Sequence, residues 1–429
     1  MQIRRGYALG GVATGAFGTV PGLMLLPYLT ERLGVAAALA GVVVFLPKAW
    51  DVVLNPIAGR ISDRSTHPAG PRRPFLLRAG LALAGCFALL FAGPAQPQAL
   101  ATAWVVVAFL ACATAYAFFQ VPYVAMPAEL TDDPAERTRI MSWRVAVLAV
   151  AILVSGGLAP MVRNAVGPER GYAAMGVFVA VLIAGGALGA WWGTRHAPVR
   201  AVAAGAGGLR EQLGLVAGNR AFRTLLTTFV VQALATGAML AGVDYVARQV
   251  LRDPGAGSVL FVCFVGPAIV CTPVWERVSR ALGKKGGYAA SSLVLALGAA
   301  LLIAARSLPA VGVYLAVAVV GIGYAGAQLF PLAMLPDVAA ADAARTGENR
   351  VGVFTGVWTA GETLGMALGP FVYGLVLAAG GYVSSTDSAA VQSDAAVWAV
   401  TLGFSAVPAV LVLLSLLALR GYRVERMAR

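Results

Sequence analysis

Apolar runs of roughly 20 residues recur from one end of the chain to the other, each long enough to cross a hydrocarbon core of about 30 Å as a helix. Lipid offers no partner for backbone N–H and C=O groups, so every such run must satisfy its hydrogen bonds internally, as a helix does. Spans are predicted near Ala8 to Leu29, Ala36 to Ile61, Phe75 to Ala92, Leu100 to Ala125, Met141 to Met161 and Tyr172 to Trp192. Six more follow near Thr224 to Ala247, Ser258 to Trp275, Tyr288 to Ala305, Ala310 to Met334, Val351 to Leu377 and Val397 to Leu419. Only 12% of the 429 residues are charged, about half the share in a soluble domain. No extramembrane domain of useful size remains, and the predicted fold class is an all-α membrane protein with twelve transmembrane helices.

The formal charge of +13 would suit a nucleic-acid surface if the basic residues were clustered on one domain. They are not. Of the 32 Lys and Arg residues, 25 fall at one set of alternating span ends, six at the other, and Lys48 lies inside a span. This is the positive-inside asymmetry. It excludes a nucleic-acid partner and puts both termini in the cytoplasm of an integral, multi-pass protein of the cell (inner) membrane. The first run has no small-residue cleavage site and leads directly into the second, so it reads as a retained span. Cys86, Cys112, Cys263 and Cys271 lie in apolar segments without metal-ligand spacing and read as packing residues. His67 and His196 carry no assigned role. No cofactor and no metal are expected beyond a coupling ion, H+ or Na+; the expected partners are membrane lipid and a small organic solute or lipid-like substrate, and the chain is expected to be a monomer.

The chain repeats itself. After the second span runs Pro56-Ile57-Ala58-Gly59-Arg60-Ile61-Ser62-Asp63-Arg64, and after the eighth runs Pro273-Val274-Trp275-Glu276-Arg277-Val278-Ser279-Arg280, followed by Gly283-Lys284-Lys285. Tyr116 and Gln120 in the fourth span are answered by Tyr324 and Gln328 in the tenth, each pair leading to a Met, a Pro and an acid. Two pseudo-symmetric six-helix bundles are therefore predicted, residues 1–193 and 224–429, joined by a basic, Gly-rich cytoplasmic linker over 194–223.

Polar groups in mid-span are the candidates for function. A carboxylate at the centre of a membrane helix costs about 2.5 to 3.5 kcal/mol on insertion scales, so one that is kept there is a functional-site hypothesis. Asp51 and Glu362 are such groups. Lys48 three residues before Asp51 and Asn55 four after it share its helical face, and the three form the candidate cation-coupling set; a purely structural Lys48–Asp51 pair is the other reading. Tyr116, Gln120, Arg144, Tyr324, Gln328, Trp358 and Glu362 form the candidate substrate set. Trp358 and Glu362, four apart, would present an aromatic surface and an acid together. Arg144 also reads as an arginine snorkelling to the interface, and Asp244 with Arg248 as an interfacial ion pair.

Gly59-Arg60-Ile61-Ser62-Asp63-Arg64 with Pro71-Arg72-Arg73-Pro74 resembles the signature loop between the second and third helices of major facilitator superfamily transporters. The wider stretch Lys48-Ala49-Trp50-Asp51-Val52-Val53-Leu54-Asn55-Pro56 looks like the second helix of the glycoside-pentoside-hexuronide:cation symporters, the melibiose permease family. Pro336-Asp337 with Arg345-Thr346-Gly347-Glu348-Asn349-Arg350 is similar to that family's loop between helices ten and eleven, and Leu364-Gly365-Met366-Ala367-Leu368-Gly369-Pro370 with Gly380-Gly381-Tyr382 to its eleventh helix. The resemblance implies the major facilitator fold, cation-coupled symport by alternating access, and gating roles for Asp63, Arg64, Arg72, Arg73, Asp337 and Arg350.

The departures are specific. Where relatives place two aspartates one turn apart in the second helix, this chain has Asp51 and Asn55; the family's first-helix aspartate appears as Gly15, its fourth-helix acid as Gln120, and its eleventh-helix lysine as Glu362-Thr363. The expected function is thus secondary active symport, coupled to protons or sodium, of a sugar, glycoside or similar small organic solute. An amphiphile such as a lysophospholipid is the alternative cargo, and a non-transporting sensor or scaffold on the same fold the alternative class. No P-loop sequence occurs, and no nucleophile, base or metal set marks an enzyme, so none is expected.

Overall fold

The computed structural model describes residues 2–65, 67, 70, 72–131, 133–197, 218–346, 351–386 and 391–422. Among them there is no strand. Eleven helices are long and apolar enough to cross a membrane, and a shorter apolar helix, Ala256–Val270, stands where the eighth span is predicted. The chain is an integral, multi-pass membrane protein.

Spans 1 to 6 are Gln2–Pro27 with the π turn Tyr28–Arg32, Ala37–Asp63, Arg73–Leu90, Gln98–Ala125, Pro134–Val166 and Gly171–Thr194, with a short helix Pro127–Leu130 after span 4. Span 7 is Arg220–Tyr245, and it too ends in a π turn, Val246–Val250. Span 8 breaks after Val270 because Pro267 and Pro273 each withhold an N–H from the helical ladder. The chain then runs as Thr272–Leu301 through a turn at Gly283, where a φ of +71° suits a residue without Cβ; span 9 follows that turn. Spans 10 and 11 are Ala310–Thr346 and Val351–Ala379. Span 12 is broken at Ser405 into Asp394–Phe404 and Ala406–Arg420.

Several helices outrun the predicted apolar runs. Span 5 begins at Pro134 and span 10 continues to Thr346, because the charged residues that end an apolar run do not end a helix.

Helix packing divides the chain into two units, one of described residues up to 197 together with 384–386, the other of residues 218–383 and 391 onward. Inside the first, span 1 packs on spans 5 and 6, span 3 on spans 4 and 6, and span 2 on span 4. Inside the second, span 7 packs on spans 11 and 12, span 9 on spans 10 and 12, and span 8 on span 10. Adding six to every number of the first set gives the second, so the sequence repeat is also a repeat of packing. Small residues make the central contacts close, as lipid-embedded helices require: a Cβ at Gly369 in span 11 would lie 2.4 Å from the backbone nitrogen of Ala238 in span 7.

Candidate functional site

In the first unit, span 2 presents Lys48, Asp51 and Asn55. Asp51 is 2% exposed, and its Oδ1 has no hydrogen-bond partner. Among the described ion pairs none joins it to Lys48. The Lys48 ammonium instead sits in an aromatic cage, 4.4 Å from the ring centroid of Phe17, 5.6 Å from Tyr116 and 6.0 Å from Phe109. Cation–π attraction over three rings replaces part of the hydration the ammonium loses. Asn55 is half-buried on the same helix. Phe17 and Phe109 have no mark in the sequence: single aromatic residues in separate apolar runs announce nothing until the helices pack.

Span 4 carries Tyr116, which packs on Phe17 at 4.5 Å, and Gln120, whose buried Oε1 has no partner. One turn on, Tyr123 stacks on Tyr7 of span 1 at 4.6 Å, each hydroxyl donating to the other's carbonyl at 2.9 Å. Arg144 of span 5 lies 5.3 Å over the Tyr123 ring with its Nε buried and unpartnered. The first-helix position where the resemblance implies an acid is closed: a Cβ at Gly15 would stand 3.0 Å from the Ala151 Cβ and 3.1 Å from the Leu148 carbonyl oxygen.

In the second unit the Gln328 amide donates to the Tyr324 hydroxyl at 2.8 Å, and the Tyr324 ring stacks on Phe264 at 5.1 Å. Glu362 of span 11 interacts electrostatically with Tyr324 and is half-buried. Trp358 differs from the sequence expectation. It is 2% exposed and stacked on Phe229 of span 7 at 4.4 Å, so it faces the helix packing and leaves Glu362 without the aromatic surface predicted beside it. A ring this large gains more from burial against span 7 than from lining an opening.

Arg72 and Arg73, assigned to gating, and Lys284 and Lys285 in the equivalent loop of the second unit have definite partners. Arg72 donates to the Ala125 carbonyl at 2.5 Å and forms an ion pair with Glu129 at 3.2 Å. Lys284 donates to the Ala333 carbonyl at 3.0 Å and pairs with Asp337 at 2.6 Å. The next residue in each case reaches a different helix end: Arg73 donates to the carbonyls of Arg195 and Ala197, Lys285 to those of Arg420 and Tyr422. Each unit thus has a clasp in which adjacent basic residues at the head of its third helix reach across, one to the C-terminal part of the fourth helix segment and the other to the end of the sixth. Arg350, assigned a gating role with Asp337, lies outside the described residues, as does the side chain of Asp63; Arg64 is exposed. Glu129 was missed, although the Tyr–Gln repeat aligns it with Asp337.

Elsewhere, Asp244 and Arg248 pair at 2.9 Å. Arg4 binds Glu136 through two hydrogen bonds and holds its carboxyl below the usual range. Cys112 is buried and the other three cysteines are half-buried; all four are free. Among the described residues no group of His, Cys, Asp and Glu could hold a metal ion.

Two units of identical helix connectivity and packing, each with polar groups in mid-span, define a membrane transporter of the major facilitator superfamily. The chain belongs to the MFS/sugar transport protein family, whose model matches residues 6–426. It is 26% identical over 446 residues to a putative glycoside/cation symporter, YagG, of Escherichia coli, covering 100% of this chain and 94% of that one. To a glucuronide carrier protein homolog of Escherichia coli it is 26% identical over 419 residues, covering 96% and 90%. Its fold is similar to that of a D-xylose-proton symporter, with a TM-score of 0.72 at 13% identity, covering 99% of this chain and 98% of that one.

Proposed function

We propose that the protein is a cation-coupled symporter that carries a sugar, glycoside or similar small organic solute by alternating access. One observation carries this reading. Asp51 is a nearly inaccessible mid-span carboxylate with an unpartnered oxygen, an arrangement that persists in a membrane chiefly where an ion is to be taken up. Supporting it are the family and the relatives named for glycosides, glucuronides and cation symport. Tyr116, Gln120, Arg144, Tyr324, Gln328 and Glu362 supply hydroxyl, amide and charged groups suited to a polyhydroxylated solute. The coupling ion is a proton: sodium wants several oxygen ligands and gains from two negative charges, whereas span 2 offers one carboxylate and an amide. The distribution of basic residues favours the inner membrane with both termini in the cytoplasm.

Proteoliposomes of the full chain, given xylose, methyl glucoside, glucuronate or lysophosphatidylcholine under an imposed proton or sodium gradient, test the reading. Accumulation of one of the first three under a proton gradient is expected. Accumulation that needs sodium alone would overturn the choice of ion, uptake of the lysolipid alone would overturn the cargo, and absence of any gradient-driven accumulation would overturn symport. Labelling of a cysteine placed at Gly207 from outside intact cells would overturn the orientation.

A further inference from the structure

Glu362 is a mid-span acid whose counter-charge is missing from its own unit. Among the described residues its carboxylate has no ion pair and no hydrogen bond, and its one electrostatic neighbour is the phenol of Tyr324. The helices packed on span 11 explain this. On the span 7 side, the backbone at Gly361 and Gly365 meets Leu226, Val230 and Ala233, all apolar. The charged and titratable groups of span 7 and its π turn, Arg220, Arg223, Asp244, Tyr245 and Arg248, lie toward its two ends. Those of span 10 are Tyr314 near one end, Asp337, Asp342 and Arg345 toward the other, and Tyr324 between; span 12 has Asp394 and Arg420 at its termini. Among these described groups, Tyr324 is the one that interacts with the carboxylate.

Tyr324 is also oriented for a purpose. Its oxygen accepts from the Gln328 amide, which leaves the phenol hydrogen free to be donated onward. A half-buried carboxylate in mid-span without a cation is costly, and the cost is removed when the group binds one. A proton is the smallest cation that does so and needs no further oxygen ligands, which this set of one carboxylate, one phenol and one amide would not complete for a metal ion.

We propose that Glu362 is a proton-binding site of the transport cycle, additional to Asp51 and housed in the other unit, with Tyr324 as its positioning residue. The carboxylate takes one proton from solvent to form the neutral acid and returns it on release; in the ionised state the Tyr324 hydroxyl donates to it. The term transport cycle rests on the symport reading above, but the titration does not, and the test therefore needs no solute. Infrared difference spectra of the full-length protein in lipid vesicles would be recorded across an acid-to-alkaline titration, with folding checked by gel filtration. The titrating carboxylic-acid carbonyl band of the wild type, to which every Asp and Glu that protonates contributes, should lose one component in Glu362→Gln, a second in Asp51→Asn and both in the double variant, with the remaining carboxyls titrating as before. Glu362→Asp should restore the band. Tyr324→Phe, which keeps the acid but removes the donor to its charged form, should move the midpoint of the Glu362 component to higher pH. An undiminished band in Glu362→Gln overturns the site, and an unmoved midpoint in Tyr324→Phe overturns the positioning role. Should the band behave as stated while no solute accumulates under any gradient, symport fails and the proton site stands.

Discussion

The two clasps have the same wiring but opposite surroundings, and this fixes what breaking each should cost. Arg72 and Glu129 have side chains 9% and 8% exposed, whereas Lys284 and Asp337 are 43% and 47% exposed. Removing one partner of a buried pair strands the other without water and costs about 3 to 5 kcal/mol. Removing one partner of an exposed pair returns the other to solvent and costs about 0 to 1 kcal/mol. Glu129→Ala should therefore destabilise the protein by roughly 3 kcal/mol more than Asp337→Ala, taking the lower bound of the first range and a negligible value for the second. In reversible unfolding by SDS in mixed micelles, the Glu129 variant should unfold at a distinctly lower detergent fraction while the Asp337 variant stays close to wild type. The double variant Arg72→Met with Glu129→Leu, which removes both charges, should recover most of the loss, because the penalty comes from the stranded charge. Equal losses from Glu129→Ala and Asp337→Ala, or no recovery in the double variant, would refute the argument from burial.

Three further outcomes are expected. Gly15→Asp should not create a sugar-site acid; the close approach of Leu148 and Ala151 makes it an overpacking change costing about 1 to 3 kcal/mol before the charge is counted, seen as loss of the monodisperse gel-filtration peak, and a stable variant with new glycoside uptake would contradict this. Asp51→Asn should retain solute exchange across proteoliposomes yet lose accumulation driven by a proton gradient, and continued accumulation would remove Asp51 from coupling. The Glu136 carboxyl is held low by Arg4, so its contribution is complete above the unfolded-state value of about 4.3 and lost as pH falls through the lower folded-state value. Wild type and Glu136→Gln should thus differ in thermal unfolding near neutral pH and converge in acid; a gap that widens with acidity would show the sign is wrong.

The spans were legible because each is a local property: twenty apolar residues specify a membrane helix wherever the rest of the chain goes. Legible too was the repeat, since Tyr116 with Gln120 and Tyr324 with Gln328 keep their spacing within single helices. What could not be read are pairings between helices. Arg72 and Glu129 lie far apart in sequence, and only the packing of spans 3 and 4 brings them together. The cage around Lys48 draws rings from spans 1 and 4, and no periodicity within span 2 could announce them. Trp358 failed for a related reason. Its four-residue spacing from Glu362 puts the two on neighbouring turns of one helix, but the ring is buried against Phe229 while the acid is half-buried.

Arg73 and Lys285 each donate to two backbone carbonyls at the ends of spans 6 and 12. A carbonyl is the same whatever side chain follows it, so these two contacts are indifferent to substitution at their acceptors and sensitive only to whether the backbone is there. That makes chain length at this point a mechanical variable. Ending the polypeptide after Leu419 would delete both acceptors of Lys285 and leave its ammonium with nothing to hold, while alanines at Arg420 and Tyr422 would leave the grip intact. A reporter or affinity tag fused after Tyr422 keeps the second unit's helix ends tied, whereas a chain stopped at Leu419 with nothing following unties them.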